Sequence, residues 1–255
     1  MSLVDRYAYG AKTRTVDPSH KVALAALVIA LCLVLDKPAV GLVAALGMGA
    51  LAVFWAGIPF RVFTGMLTAE GAFLLMSVAG VALSINTSFP ASRWGFALGS
   101  WWVGTTEGSF AVAAHLATRA LGSAAAMNFL ALTTPLVDIL EVMRRLRSPA
   151  LLMDLMTVVY RFVFTLMDCL ARMHTAQESR LGYASFHRGM ASAGLLAGGL
   201  FMDACRRTQR LQTALESRGY DGALYVLPIS YRRDPKLYWT GSVLLGSLLF
   251  AWRLP

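Results

Sequence analysis

The chain of 255 residues is 57% hydrophobic and 15% charged, against about 25% charged residues in soluble domains, and its formal net charge is +9. That balance excludes an ordinary soluble domain and describes an integral membrane protein with one substantial wet region. It also excludes a polybasic nucleic-acid arm: fourteen of the 23 Lys and Arg lie between residues 135 and 236, but so do nine of the 14 acids, so that region is amphipathic and carries both signs.

The first 21 residues are polar, hold Arg6, Lys12, Arg14 and Lys21, and show no cleavable leader pattern. Val16-Asp17-Pro18-Ser19-His20-Lys21 reads as a helix start, with Pro in the first turn. Val22 to Leu35 is a short apolar span, with Lys21 expected to snorkel to the interface. After a turn at Asp36-Lys37-Pro38, Ala39 to Gly57 forms a second span rich in Gly and Ala, which suits close helix packing. Gly65 to Leu83 is the third span and contains Glu70, an acid at membrane depth or at its edge.

Ser84 to Ser109 is a polar, Gly-rich connection whose clustered Trp94, Trp101 and Trp102 suit a hairpin or a loop at the membrane–water boundary. Phe110 to Thr134 is the fourth span. His115, Arg119 and Asn128 argue that it faces protein rather than lipid. From Pro135 the pattern changes. Leu136 to Arg147 is a short amphipathic helix with a basic end, and Ser148-Pro149 breaks it. In the longer helix that follows, Asp154, Arg161 and Asp168 recur every seven residues along one face, and Arg172 lies four beyond Asp168, within pairing reach. Such regular charges predict a helix on the membrane surface or packed on other helices.

Arg188 to Glu216 is a second long helix. Its small-residue half, with Gly194, Gly198 and Gly199, predicts a close helix crossing; its other half carries Arg206, Arg207 and Arg210. A connector over residues 221–236 leads to the fifth span, Leu237 to Trp252. With five spans, Lys/Arg counts place the N-terminus, the Arg61 loop and residues 135–236 in the cytoplasm, and Lys37, Arg93 and Arg253 on the other side.

A phrase occurs twice in the basic region. Arg172-Met173-His174-Thr175-Ala176-Gln177-Glu178-Ser179-Arg180 is followed by Leu181-Gly182-Tyr183. Arg210-Leu211-Gln212-Thr213-Ala214-Leu215-Glu216-Ser217-Arg218 is followed by Gly219-Tyr220. Each copy closes a long helix. Helix capping accounts for the Arg and the Gly, but not for Thr-Ala-x-Glu-Ser at matching offsets. Two equivalent tips suit a partner of twofold symmetry, which offers each socket twice.

No catalytic pattern accompanies these features: GxxxxGK, GxSxG and HExxH are all missing, and His20, His115, His174 and His187 are scattered. Cys32, Cys169 and Cys205 have no paired spacing and read as small buried apolar residues. No resident cofactor and no metal ligand are expected in this chain. A membrane protein with two matched tips and no engine makes sense as a coupler inside a larger complex.

The chain resembles the transmembrane coupling (T) component of energy-coupling factor transporters, and within that group the cobalt type, the CbiQ family. The resemblance rests on Asp5-Arg6-Tyr7-Ala8-Tyr9, Asp17-Pro18-Ser19-His20-Lys21, Thr133-Thr134-Pro135-Leu136-Val137-Asp138-Ile139-Leu140, Tyr160-Arg161-Phe162-Val163-Phe164 and the two tags. The family signature, an Ala-Arg-Gly-like triplet at the end of each of two coupling helices, is matched by Ser179-Arg180-Leu181, with Gly182 one place later, and by Ser217-Arg218-Gly219. The resemblance implies an all-α integral membrane protein of about five transmembrane helices plus a cytoplasmic platform of crossed amphipathic coupling helices. The divisions would be residues 1–134, 135–236 and 237–255.

It further implies a pair of ABC-type ATPases that binds ATP and Mg and holds Glu178, Ser179, Arg180, Gly182, Glu216, Ser217, Arg218 and Gly219. A separate substrate-binding membrane subunit, with or without a small accessory membrane subunit, would meet Tyr160, Arg161, Gly194, Gly198 and Gly199. The location implied is the bacterial cytoplasmic (inner) membrane, and the cargo cobalt. A T component for nickel or a vitamin is the nearest alternative. A self-contained secondary transporter would require inverted repeats and charges at mid-membrane, for which Glu70 and Arg119 are thin support, and a membrane enzyme would require a converging polar site.

Overall fold

A computed structural model describes residues 3–35, 37–82, 84–86, 94–98, 101–105, 107–222, 231–232 and 235–253. They form two compact units: residues 1–139 with 230–255, and residues 140–229. Asp36 of the expected turn, Arg93 and most of the 221–236 connector lie outside the described residues.

In the first unit, α1 (Leu3–Gly10) precedes α2 (Pro18–Val34). The start of α2 is the one read from the sequence: Asp17 accepts a hydrogen bond from the Ser19 amide at 3.0 Å, and Pro18 sits where its missing N–H costs nothing. Pro38 likewise takes the first position of α3 (Pro38–Ala50), here without a side-chain cap, and α3 runs on into a π-helical stretch, Leu51–Trp55, that ends before the left-handed Gly57. Helix α4 (Phe60–Ala82) leads into three short strands, β1 (Ser84–Asn86), β2 (Trp94–Leu98) and β3 (Trp101–Thr105). They form an antiparallel sheet of order β1-β3-β2 in which Phe96 lies opposite Val103, so the Trp-rich connection is a hairpin joined by a third strand.

The chain continues through α5 (Glu107–Thr133), α6 (Leu136–Arg145), α7 (Ala150–Glu178) and α8 (Phe186–Glu216), and returns to the first unit with α9 (Pro235–Arg253). The architecture is helical apart from the small sheet. Three helical segments are long and apolar enough to cross a membrane: Pro38–Trp55, Phe60–Val81 and Ala150–Glu178. The count is four if α5 and α6, broken at Thr134 and Pro135, are one interrupted span. The expected count of five differs at three places. Helix α2 is apolar but has only 17 residues, about 25 Å of rise, and α9 does not qualify. Helix α7, read as a surface helix, does qualify, because its first eighteen residues hold only Asp154 and Arg161 as charges.

Helix α5 is the hub of the first unit and packs against α1, α2, α3 and α4. In a bilayer, close van der Waals contact between helices replaces the hydrophobic drive, and small residues allow it. Ala125 and Ala126 of α5 are fully buried beside Phe129 and Leu132. At the α3–α5 crossing the backbones nearly touch. A Cβ on Gly41 would lie 2.2 Å from the Thr118 carbonyl oxygen, and one on Gly122 would lie 2.8 Å from that of Gly41. The polar residues of α5 do face protein. Asn128 donates to Glu70 Oε2 of α4 at 2.9 Å, and Arg119 donates to the Leu33 carbonyl at 2.7 Å, at the C-terminal end of α2 where free carbonyls collect.

Lys21 corrects the sequence reading. It does not snorkel; it is fully buried, and its Nζ donates to the carbonyl oxygens of Thr13 at 2.6 Å and Thr133 at 3.0 Å.

Gly41→Ala is expected to push α3 off α5 at a cost of about 1–3 kcal/mol, the usual range for overpacking. Thermal unfolding in detergent should show this loss, whereas Gly65→Ala on α4, where a Cβ meets only open space, should show none and can raise the transition slightly through helix propensity.

Candidate partner-binding site

The second unit is built on α7 and α8, joined by a turn over residues 179–185. Gln177 Nε2 donates to the Ser192 carbonyl at 3.0 Å, Met173 Sδ lies 3.5 Å from where a Cβ on Gly199 would be, and the Cys169 thiol lies near enough to Asp203 to help hold its carboxyl ionised. These contacts step back along α7 while they step forward along α8, so the helices run antiparallel. The crossing therefore lies at Ser192, Gly199 and Asp203. It does not lie at Gly194 and Gly198: a Cβ at either would meet nothing within 4 Å. The periodicity of small residues located the helix but not the face its neighbour uses. Toward the other end the helices part, leaving a groove of about 380 Å³ between Leu151, Leu155 and Val158 of α7 and Leu211 and Leu215 of α8, closed by Tyr220.

The two tags end these helices with the same backbone. Ser179 has φ −62° and ψ −19°, and Ser217 has φ −63° and ψ −19°. Each Ser amide donates to the Thr four residues earlier, and each Arg amide to the residue three earlier, at 3.0–3.2 Å. The next amide donates to the tag glutamate (Leu181 to Glu178, Gly219 to Glu216), and the one after it to the fifth residue back (Gly182 to Gln177, Tyr220 to Leu215). This is the Schellman closure of a helix, made twice. It aligns Leu181, not Gly182, with Gly219: both are left-handed, with φ 56° and 73°. A branched side chain in that region costs roughly 1–2 kcal/mol, so the first tip holds strain that the second avoids. Gly182 is required for a different reason. Its carbonyl accepts from Ser192 Oγ at 2.9 Å, and a Cβ there would lie 2.8 Å from the same oxygen.

The equivalence extends to side chains. Ser179 Oγ donates to the Ala176 carbonyl and Ser217 Oγ to that of Thr213, while Thr175 and Thr213 each bond the carbonyl four residues back. His174 lies 3.8 Å from Glu178, and at the matching positions Gln212 donates to Glu216 at 2.9 Å. His174 also stacks on Tyr183 at 4.8 Å, so it braces the first tip. Beside each tip is a shallow groove, of about 430 and 420 Å³. Ala171, Arg172, Thr175, Ala176 and Ser179 line the first; Gln209, Arg210, Thr213, Ala214 and Ser217 line the second, with Arg206. The arginines Arg172, Arg180, Arg210 and Arg218 are all exposed. The groove positions were the part missed in the sequence, although the 38-residue offset between the copies runs back to Arg172 and Arg210 and could have located them.

Farther from the tips, Arg207 contacts Asp203 at 2.7 Å and holds that carboxyl below the usual carboxylate range. Tyr160 packs edge-on against Phe164 of its own helix, and Arg161 is exposed. The expected pairing of Asp168 with Arg172 is not formed; both remain exposed. Among the described residues no three His, Cys, Asp or Glu side chains converge as metal ligands.

Residues 11–226 match the family model CbiQ, described as cobalt transport protein. Similar proteins include the cobalt transport protein CbiQ of Salmonella typhimurium, 28% identical over 89% of this chain and all of the relative. Another is a putative fused cobalt transport protein CbiMQ of Methanocorpusculum labreanum, 30% identical over 51% of this chain and 22% of the relative. The energy-coupling factor transporter transmembrane protein EcfT of Staphylococcus aureus is 28% identical over 68% of this chain and 61% of the relative.

Leu181→Gly is expected to stabilise the first tip by about 1 kcal/mol by removing the left-handed strain. Gly182→Ala is expected to loosen the α7–α8 turn, because the added methyl displaces Ser192. Limited proteolysis between residues 179 and 185, with thermal unfolding in detergent, distinguishes the two.

Proposed function

The chain belongs to the CbiQ family of cobalt transport proteins, and from that premise we propose that it is the ATPase-coupling subunit of a cobalt importer of the energy-coupling factor type. It is a multi-pass membrane protein and a transport component. The finer assignment rests on one observation: two exposed helix ends, 38 residues apart, with the same backbone closure, the same arginine and the same flanking groove.

In this reading each tip enters one groove of a pair of ABC-type ATPases, which bind ATP and Mg in the cytoplasm. Arg180 and Arg218 meet carboxylates there. A guanidinium–carboxylate contact is bidentate, and truncating one partner of a buried pair costs about 2–5 kcal/mol. The Schellman closures hold the arginines on rigid helix ends, so little order has to be gained on binding. The tips sit at opposite ends of α8, whose 31 residues span about 45 Å, a separation that suits two sockets on one dimer. Closure of the ATPases on ATP would displace both tips, and α7 and α8 would carry that motion toward a substrate-binding membrane subunit that holds the metal. Gly194 and Gly198, open within this chain, are available to such a partner together with Tyr160 and Arg161.

We place residues 135–236 on the cytoplasmic side of a bacterial inner membrane, with the N-terminus on the same side, from the concentration of Lys and Arg. The recurrence of charge every seven residues, at Asp154, Arg161 and Asp168, favours a surface position for α7 despite its apolar length. Glu70 accepts a hydrogen bond from Asn128 of α5, which gives it a structural role as a tie between α4 and α5.

The double variant Arg180→Glu/Arg218→Glu tests the proposal. Its expected behaviour is normal membrane insertion, loss of the co-purifying ATPase and loss of ATP-dependent cobalt uptake. Unimpaired uptake by this variant overturns the assignment.

A further inference from the structure

The chain passes between its two units twice, after Ile139 on the way out and before Ser230 on the way back. Both crossings are anchored within one or two residues by a single cluster in the first unit. On the outgoing segment, in the first turn of α6, Asp138 is 6% exposed, and its Oδ1 accepts a hydrogen bond at 3.0 Å from the hydroxyl of Tyr231, on the returning segment. The next residue, Arg232, is bound through its backbone: its amide donates to the Thr15 carbonyl at 2.8 Å, and its carbonyl accepts from the Asp17 amide at 3.1 Å, making a parallel bridge with Val16. The 13–17 segment is in turn tied to the break between α5 and α6 by Lys21, which donates to the carbonyls of Thr13 and Thr133. Thr133, Thr134 and Pro135 are buried, and Pro135 cannot continue the α5 hydrogen-bond ladder. The ammonium thus occupies the carbonyl end of α5, where a cation is favoured.

We infer that Asp138, Tyr231 and Lys21 form a force-bearing junction that couples displacement of the second unit to the membrane helices of the first, and that the three act as positioning residues for transport. The inference rests on the coupling role proposed above. Two segments that enter the first unit hydrogen-bonded to each other, with the neighbouring 13–17 segment and the end of α5 held together by a buried lysine, transmit a displacement instead of absorbing it. A loose connector would let the tips move without the membrane helices following. The Tyr231–Asp138 bond is the part of this path to test, because it joins the outgoing and returning segments side chain to side chain.

The experiment uses the intact complex, with ATPases and substrate subunit, reconstituted in lipid vesicles with cobalt as cargo. ATP hydrolysis and cobalt uptake are measured together for the wild type, Tyr231→Phe and Asp138→Asn. The expected result for Tyr231→Phe is unchanged ATPase co-purification, a modest loss of thermal stability that leaves the complex folded at the assay temperature, retained hydrolysis and a fall in cobalt delivered per ATP of about fivefold or more, the lower range of coupling effects. Asp138→Asn, which can still accept the tyrosine hydrogen bond, is expected to keep most of that ratio. An unchanged ratio in Tyr231→Phe overturns the inference. So does a loss of uptake matched by an equal loss of hydrolysis and stability, since that is a structural effect. If no ATPase accompanies the wild type, the coupling reading itself fails, and the junction loses its role with it.

Discussion

A lysine with no exposure to solvent must recover what its ammonium loses in leaving water, and how Lys21 does so organises the first unit. Desolvation of such an ion costs several kcal/mol, and a charged donor recovers roughly 1.5–3 kcal/mol for each hydrogen bond it makes. Lys21 makes two such bonds, to carbonyls at opposite sides of the unit in sequence, Thr13 and Thr133. The acids Asp17 and Asp138 supply further attraction. Each partner is available only because something else is in place. Thr133 offers its carbonyl because Pro135 ends the helix, and Thr13 offers its own because Arg232 holds the adjoining segment. The ammonium is therefore a test of assembly: the N-terminal segment, the end of α5 and the returning strand must all be correctly placed before its burial becomes tolerable.

The helices above this junction are held by a different physics. Between α3 and α5 there is no room for a side chain at all, since the peptide groups of Gly41, Thr118 and Gly122 lie against one another. Dispersion across that contact is the main attraction in an environment where apolar burial brings little. Helix α4, by contrast, leaves most of its apolar surface uncovered, with Phe73, Leu75 and Met76 more than 70% exposed. It shares with α5 the Glu70–Asn128 contact, a polar tie that has no competing water in the bilayer.

In the second unit, rigidity is invested in helix ends. A Schellman closure satisfies two terminal carbonyls and sets the direction of the arginine that precedes it. Making the closure twice, once with Gly219 and once with the more costly Leu181, produces two tips of one shape from sequences that differ at the critical position. The asymmetry has a local cause. The first tip must turn back at once into α8, and Gly182 is needed one residue later for the approach of Ser192. At the second tip a Cβ on Gly219 meets nothing within 4 Å among the described residues, and the glycine sits at the left-handed position itself. The comparison also explains why the aligned phrases look offset by one residue: the structural register is continuous through Leu181 and Gly219, and only the glycine has moved.

Much of this was legible in the residues. Local chemistry, which needs no knowledge of neighbours, determined the Asp17-Pro18 start of α2, the break at Thr134 and Pro135, the paired ends at Arg180 and Arg218, and the helical membrane architecture. Capping, proline geometry and hydrophobic run length act within a few residues, so the sequence alone carries them. The tertiary structure decided what depends on which face meets which. It moved the α7–α8 crossing from Gly194 and Gly198 to Ser192 and Gly199, and it gave Leu181 the left-handed role expected of Gly182. It also buried Lys21, which by composition alone belongs at the interface. A glycine pair permits close approach but cannot summon a partner, and a lysine next to an apolar run has the same sequence signature whether it reaches water or two distant carbonyls. The difference lies in contacts made across more than a hundred residues of chain, from Lys21 to Thr133, and those exist only once the helices have packed.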